Sequence, residues 1–192
     1  MIDSDIIIDG GNVISCGDKV IMTDKIFREN PHYDHDILIY TLSQLLEAEV
    51  VLIPEDHYDE YGHADGMVRF MGDGSVLLNN YCDFDKALQK KLLAALTPHF
   101  DITELHYGIY TDWSWAYINF LHVGQHILIP MIGDKLGDKA FMQIADAFSQ
   151  CECHPVYHYE NIVREGGALN CSTWNILVDV PEEEEKSKEL PK

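Results

Sequence analysis

Three tight turns at nearly even intervals constrain this chain more than any other feature. Gly17, Gly74 and Gly124 lie 57 and 50 residues apart, each between two short apolar runs. After Ile6-Ile7-Ile8 the first pair is Val13-Ile14 and Val20-Ile21-Met22, joined at Cys16-Gly17-Asp18. Ile37, Leu38, Leu42, Leu45 and Leu46 then fall at helical spacing and predict a helix over residues 34–47. Val50 to Ile53 closes the round as a buried strand ahead of Pro54. The second round reads strand 67–70, a turn at Gly72-Asp73-Gly74, strand 76–78, helix 84–96 and strand 102–105. The third reads strand 117–120, a turn at Gly124-Gln125, strand 127–129, helix 138–148 and a closing strand near 154–157. A fourth begins after Gly166-Gly167 and stops at Ile176-Leu177-Val178. A strand–strand–helix–strand unit recurring at this period predicts a propeller or another arrayed α/β architecture.

A chain of 192 residues suits one domain with a sizeable core, here residues 1–180. Residues 181–192 hold a run of four glutamates with no apolar pattern, and are expected to be a disordered acidic tail. No apolar run approaches the roughly 20 residues that cross a bilayer. The first residues, Met1-Ile2-Asp3-Ser4-Asp5, are acidic where a secretory signal is basic, so no targeting peptide is expected. Five cysteines at irregular spacings argue against a disulfide framework and for a reducing, cytoplasmic setting. With 13 Lys and Arg against 33 Asp and Glu, the net charge is −20. Such a surface repels nucleic acid and anionic lipid and favours the approach of a cationic ligand.

Chemistry-bearing residues cluster in a few places. In Gly62-His63-Ala64-Asp65-Gly66 an imidazole stands two residues from a carboxylate. At the start of a strand that spacing puts both on one face, ready for proton transfer near neutral pH. The competing reading is a polar turn whose aspartate caps a glycine bend. Near the end, Glu165-Gly166-Gly167-Ala168-Leu169-Asn170-Cys171-Ser172-Thr173 sets a cysteine on a glycine turn beside two hydroxyls. A thiolate so held is a nucleophile, whereas a lone cysteine elsewhere is a small buried hydrophobe. Trp113 and Trp115 could cap a cation by cation–π contact or anchor a core. Cys151-Glu152-Cys153-His154, with His158 beyond, lacks the Cys-x2-Cys spacing of structural zinc sites. Cys153 and His154 would also point oppositely on a strand, so no metal and no cofactor is expected.

Asp9-Gly10-Gly11-Asn12, Gly62-His63-Ala64-Asp65-Gly66, Ala116-Tyr117-Ile118-Asn119-Phe120 and Gly166-Gly167-Ala168-Leu169-Asn170-Cys171 resemble, in order, motifs of the pentein guanidine-modifying enzymes. The similarity is to the agmatine deiminase and bacterial peptidylarginine deiminase branch and runs to about Val180. It implies a pentein-type α/β propeller of ββαβ units, with about three and a half of five units present. The reaction it implies is hydrolysis of a guanidinium, in agmatine or in free or peptide-bound arginine, to a ureido group and ammonia. By resemblance, Cys171 is the nucleophile, His63 the general acid/base and Asp65 a carboxylate that grips guanidinium nitrogens. Asp9 stands where the family carries a glutamate, and Asn119 and Trp113 are expected to line the substrate site. An Arg-Asp segment typical of the family is not found, which implies self-association or completion by an N-terminal segment. Alternatives are an amidinotransferase, or a truncated relative serving as an interaction module. A Cys171 thiolate facing His63 is expected to ionise more readily than buried structural cysteines, and to be labelled ahead of Cys16 and Cys82.

Overall fold

Gly17 and Gly74 both take a φ of 72°, a left-handed value that a Cβ resists, and each lets the chain reverse within a tight turn. Around Gly17, β1 (Ile14–Cys16) and β2 (Lys19–Thr23) pair antiparallel, with Cys16 opposite Lys19. A short helix α1 (Lys25–Glu29) and the longer α2 (His35–Leu46) follow. The chain then returns as β3 (Glu49–Ile53), parallel to β2 on its free edge. The Asp34 side chain starts α2 by accepting from the backbone N–H groups of Asp36 and Ile37. Glu47 ends it at a φ of 52°. The structure, a computed structural model, describes residues 4–174.

The same unit recurs twice. The second comprises β4 (Val68–Gly72), β5 (Ser75–Leu78), α3 (Tyr81–Phe84), α4 (Lys86–Leu96) and β6 (Asp101–Glu104). The third comprises α5 (Trp115–Ile118), β7 (Leu121–Val123), β8 (His126–Pro130), α6 (Gly137–Ala147) and β9 (Glu152–Val156), followed by α7 (Glu160–Arg164). Each sheet has three strands, an antiparallel hairpin plus a parallel third strand. The repeating α/β unit expected from the turn spacing is therefore present three times.

Packing explains why the middle strands are apolar on both faces. Val20 and Met22 of β2 pack on Leu38 and Leu42 of the unit's own helix. Ile21 points the other way and, with Val51 and Ile53, joins Val76, Leu78, Leu88 and Leu92 of the second unit. Leu77 of β5 likewise joins Ile127, Ile129, Ala140 and Ile144 of the third. A sheet covered on both sides loses the polar alternation of a half-exposed one. Leu77 and Leu92 are fully buried, and truncating either to alanine costs about 2–5 kcal/mol.

Several local expectations are corrected. Residues 117–120 do not form a strand: Tyr117 and Ile118 belong to α5, and β7 begins at Leu121. Ala116, Tyr117, Ile118 and Phe120 are all buried, so the segment has no alternation to separate strand from helix. The helix expected over 84–96 is divided at Asp85, whose side chain accepts from the N–H groups of Ala87 and Leu88 and starts α4 afresh. Asp65 lies on a 3-10 turn (Ala64–Gly66) and His63 is the residue that leads into it, so neither is on a strand. The strand expected at 176–178 and the acidic tail at 181–192 fall outside the described residues. Among the described residues no helix is long and apolar enough to cross a membrane, and all five cysteines are free.

Candidate active site

Four segments meet at one end of the units. The first is Asp9 with the 3-10 turn Gly10–Asn12. Asn12 is fully buried, and its Oδ1 accepts from the Thr23 backbone N–H at 2.9 Å. The Thr23 hydroxyl lies 2.8 Å from both Asn12 Oδ1 and the Gly62 carbonyl, which ties the first segment to the His63 loop. His63 Nε2 then lies 3.0 Å from Asp9 Oδ2. Asp9 also accepts from the buried Lys25, whose Nζ is 3.4 Å from His63 Nε2 and 2.5 Å from Glu29 Oε1. Hydrogen bonds from Lys25 and His63 pull the Asp9 pKa down to about 2. Burial opposes the Lys25 charge, yet the Asp9 and Glu29 carboxylates together hold its pKa above the ordinary lysine value.

The other two segments bring in the thiol. Gly166, at a φ of 86°, lets the chain leave α7 and enter the turn that carries Asn170 and Cys171. Arg69 holds that turn, donating from Nη1 to Asn170 Oδ1 at 2.9 Å and from Nη2 to the Phe120 carbonyl at 3.0 Å. Its guanidinium also lies 4.9 Å from the Phe120 ring centroid. With Oδ1 so engaged, Asn170 Nδ2 donates to Asp65 Oδ2 at 2.9 Å. Cys171 Sγ is 3.6 Å from the same Asp65 oxygen and 3.2 Å from Asn119 Oδ1, which also accepts from the Cys171 backbone N–H at 3.3 Å.

His63, Asp65, Asn170, Cys171 and Trp174 line an open cavity of about 440 Å³, floored by Gly10 and Gly11. Gly11 leaves room for the His63 ring as it stands. A Cβ there would stand 2.6 Å from His63 Nδ1 and 3.3 Å from Asp65 Oδ1. Since Asp65 Oδ2 is taken by Asn170 and Cys171, its Oδ1 is the oxygen beside Gly11. Among the described residues, the charged side chains lining the cavity are Asp65 and, when protonated, His63. A planar cation able to donate two hydrogen bonds fits that surface.

The structure thus brings Asp9, His63, Asp65 and Cys171 together and separates two other candidates from the cavity. Asn119 is fully buried and does not line it; its amide instead joins Cys171 to the Asp65 backbone carbonyl, 3.3 Å from Nδ2. Trp113 lines a different cavity of about 250 Å³, with Ile132, Asp134 and Arg164. Among the described residues it is Trp174, 86% exposed, whose indole lines the candidate cavity. The Cys171 thiol is not activated by its surroundings, although burial raises Cys16 further, to about 12. Burial, and next the Asp65 charge, raise the Cys171 pKa above the ordinary thiol value. Lys25, Arg69 and Asn170 were not singled out from sequence. Asn170 had a signal, standing beside the candidate nucleophile, but Lys25 and Arg69 look like ordinary helix and strand cations until the fold places them.

An agmatine deiminase of C. jejuni with substrate bound superposes with a TM-score of 0.73 at 18% identity, over 88% of this chain and 56% of that one. The agmatine deiminase of Enterococcus faecalis also gives 0.73 at 18% identity, over 84% and 55%. An amidinotransferase of Microseira wollei gives 0.53 at 17% identity, over 85% and 43%. The units are therefore those of the pentein-type propeller, and the chain spans little more than half the length of the deiminase structures it matches. No curated protein sequence matches significantly. Residues 1–176 match the family described as Porphyromonas-type peptidyl-arginine deiminase, and the chain belongs to that family.

Proposed function

We propose that this chain carries a guanidine deiminase site, which turns a guanidinium group into a ureido group and ammonia through a covalent bond to Cys171. The observation that carries the reading is the shared cavity. An imidazole and a buried carboxylate from one turn open onto it with a thiol from a segment distant in sequence, the Cys171 Sγ being 3.6 Å from Asp65 Oδ2. Asp65 Oδ1 takes the guanidinium N–H groups and sets the carbon before Sγ. Burial and, next, the Asp65 charge keep the thiol protonated; arrival of the cation offsets the Asp65 charge and so favours the thiolate when the substrate is in place.

Sγ adds to the guanidinium carbon, and His63 protonates a departing nitrogen, which leaves as ammonia. The remaining thiouronium, linked through Sγ, is attacked by water, whose proton passes to His63. Collapse expels the thiolate and frees the ureido product. Asp9 orients the imidazole by accepting at Nε2, which leaves Nδ1 to exchange protons on the side that Gly11 keeps clear. Trp174 offers its face to the cationic or apolar stem of the substrate. Agmatine and arginine, free or in a peptide, are the substrate class.

The test is to incubate the chain with agmatine, arginine and an arginine-containing peptide. Ammonia and ureido product are measured, together with the intact mass of the protein after acid quench. Expected are release from at least one substrate, loss of release in Cys171→Ala, and a thiouronium-sized mass increase on Cys171 during turnover. No release and no adduct with any of the three would make the chain a binding scaffold instead.

A further inference from the structure

The Cys151–His154 stretch has no zinc-finger spacing, yet the sheet gives part of it a partner that sequence spacing does not show. In the parallel pair β8·β9, His126 stands opposite Glu152 and Leu128 opposite His154. Glu152 and His154 are two apart on β9 and therefore project on one face, as does His126. Cys153 projects on the other face and packs against the third core beside Ile127 and Ile129. The strand pair thus separates the cysteine from the histidines and collects two imidazoles and a carboxylate at one exposed spot.

The distances there suit an ion. His126 Nδ1 lies 3.1 Å from His154 Nε2. The Glu152 oxygens lie 3.6 Å from the first nitrogen and 3.8 Å from the second. Ligand bonds of about 2.0–2.1 Å at tetrahedral angles set donor atoms about 3.3 Å apart. The nitrogen pair is slightly inside that separation and the carboxylate slightly outside, so small side-chain rotations regularise the triangle. The same positions in the first unit hold Lys19 and Glu49, an ion pair at 3.6 Å, and in the second Ser75 and Asp101. At these paired positions the third unit alone presents a triad of metal-binding type among the described residues; the second such cluster, Cys82, Asp83 and His106, lies elsewhere in the second unit. In the other, both Asp83 oxygens are already occupied, by His106, Asn80 and the Tyr107 N–H.

We propose that His126, Glu152 and His154 form a surface site for a divalent ion of the zinc type. Two neutral imidazoles and one carboxylate bind it, and water completes the coordination. This donor set selects zinc-like ions over magnesium or calcium, which take oxygen ligands. The ion bridges β8 and β9, and the chain's net charge of −20 favours its approach.

The experiment uses the full chain, free of any affinity tag and stripped with a chelator. Zinc is titrated against a chromophoric competitor, and cobalt(II) is followed in the visible and near ultraviolet. Expected is one ion per chain, with cobalt bands of four- or five-coordinate type and no thiolate charge-transfer band. His126→Ala and His154→Ala should each weaken binding by at least about tenfold, and Glu152→Gln should weaken it as well. Zinc should raise the melting temperature of the unaltered chain but not of the double histidine variant, whose zinc-free melting should match. Unchanged binding in the double variant, a thiolate band, or failure to bind one zinc would each overturn the proposal. The last would reduce the pair to a hydrogen bond between imidazoles.

Discussion

Gly11→Ala isolates the imidazole from the rest of the fold. Gly11 lies in a 3-10 turn with no left-handed φ, so alanine can take its backbone conformation without strain. A Gly→Ala change at such a position adds about 0.4–1 kcal/mol of stability through the unfolded chain. Against that, the new Cβ would meet His63 Nδ1 at 2.6 Å. To reach ordinary contact the ring must retreat by roughly 0.8 Å. It cannot do so freely, because its Nε2 is bonded to Asp9 and lies beside Lys25. A displacement near 1 Å costs on the order of 100-fold in rate, equivalent to about 2.7 kcal/mol of barrier. The expected result is a melting temperature within a few degrees of the unaltered chain and a kcat about 100-fold lower on whichever guanidine is turned over. The control is alkylation of Cys171, whose rate should change little because the thiol is held by Asn119 and Asp65 instead. Undiminished turnover would refute the role given to His63 Nδ1. Lost turnover with a collapsed melting temperature would refute the steric argument.

Three further outcomes follow from the same contacts. Because burial and then Asp65 hold the Cys171 thiol protonated, its iodoacetamide labelling should still be rising above pH 9, and Asp65→Asn should speed labelling at pH 7 while lowering turnover; slower labelling in that variant would contradict the assignment. The Asp9 pKa, depressed to about 2 from 3.8, contributes stability above pH 3.8 that is lost as pH falls toward 2; urea midpoints across that window should flatten in Asp9→Asn. Asn119→Ala leaves the Cys171 N–H and the Asp65 carbonyl short of a partner, and should cost about 1–3 kcal/mol in urea denaturation and lower kcat more than it raises KM.

The turn glycines and helix spacings made the repeat legible because each is a local signal. Asp34 and Leu38 announce α2 without reference to anything distant. The motif residues that meet at the cavity were legible through resemblance, since no local rule brings Asp9 to His63 or Asp65 to Cys171. Where the reading went astray, tertiary context decided. The segment around Tyr117 is buried all round and carries no period. Trp113 precedes a helix that turns it into a neighbouring cavity. Asn119 sits in a motif segment, yet it works from behind the thiol. Lys25 is unremarkable in sequence and becomes informative only when the first unit closes on Asp9 and Glu29.

The contacts that hold the thiol have a consequence in time. Cys171 meets Asp65 across 106 residues of chain, and Asn170 meets Arg69 across 101. Strand pairing inside each unit spans far fewer. Such long closures repay their entropy only after the intervening segments are compact. On a ribosome the first two sheets can therefore form one after another while residue 171 is still unmade. The cysteine reaches its setting last, and a chain arrested before that step holds folded units but no assembled cavity.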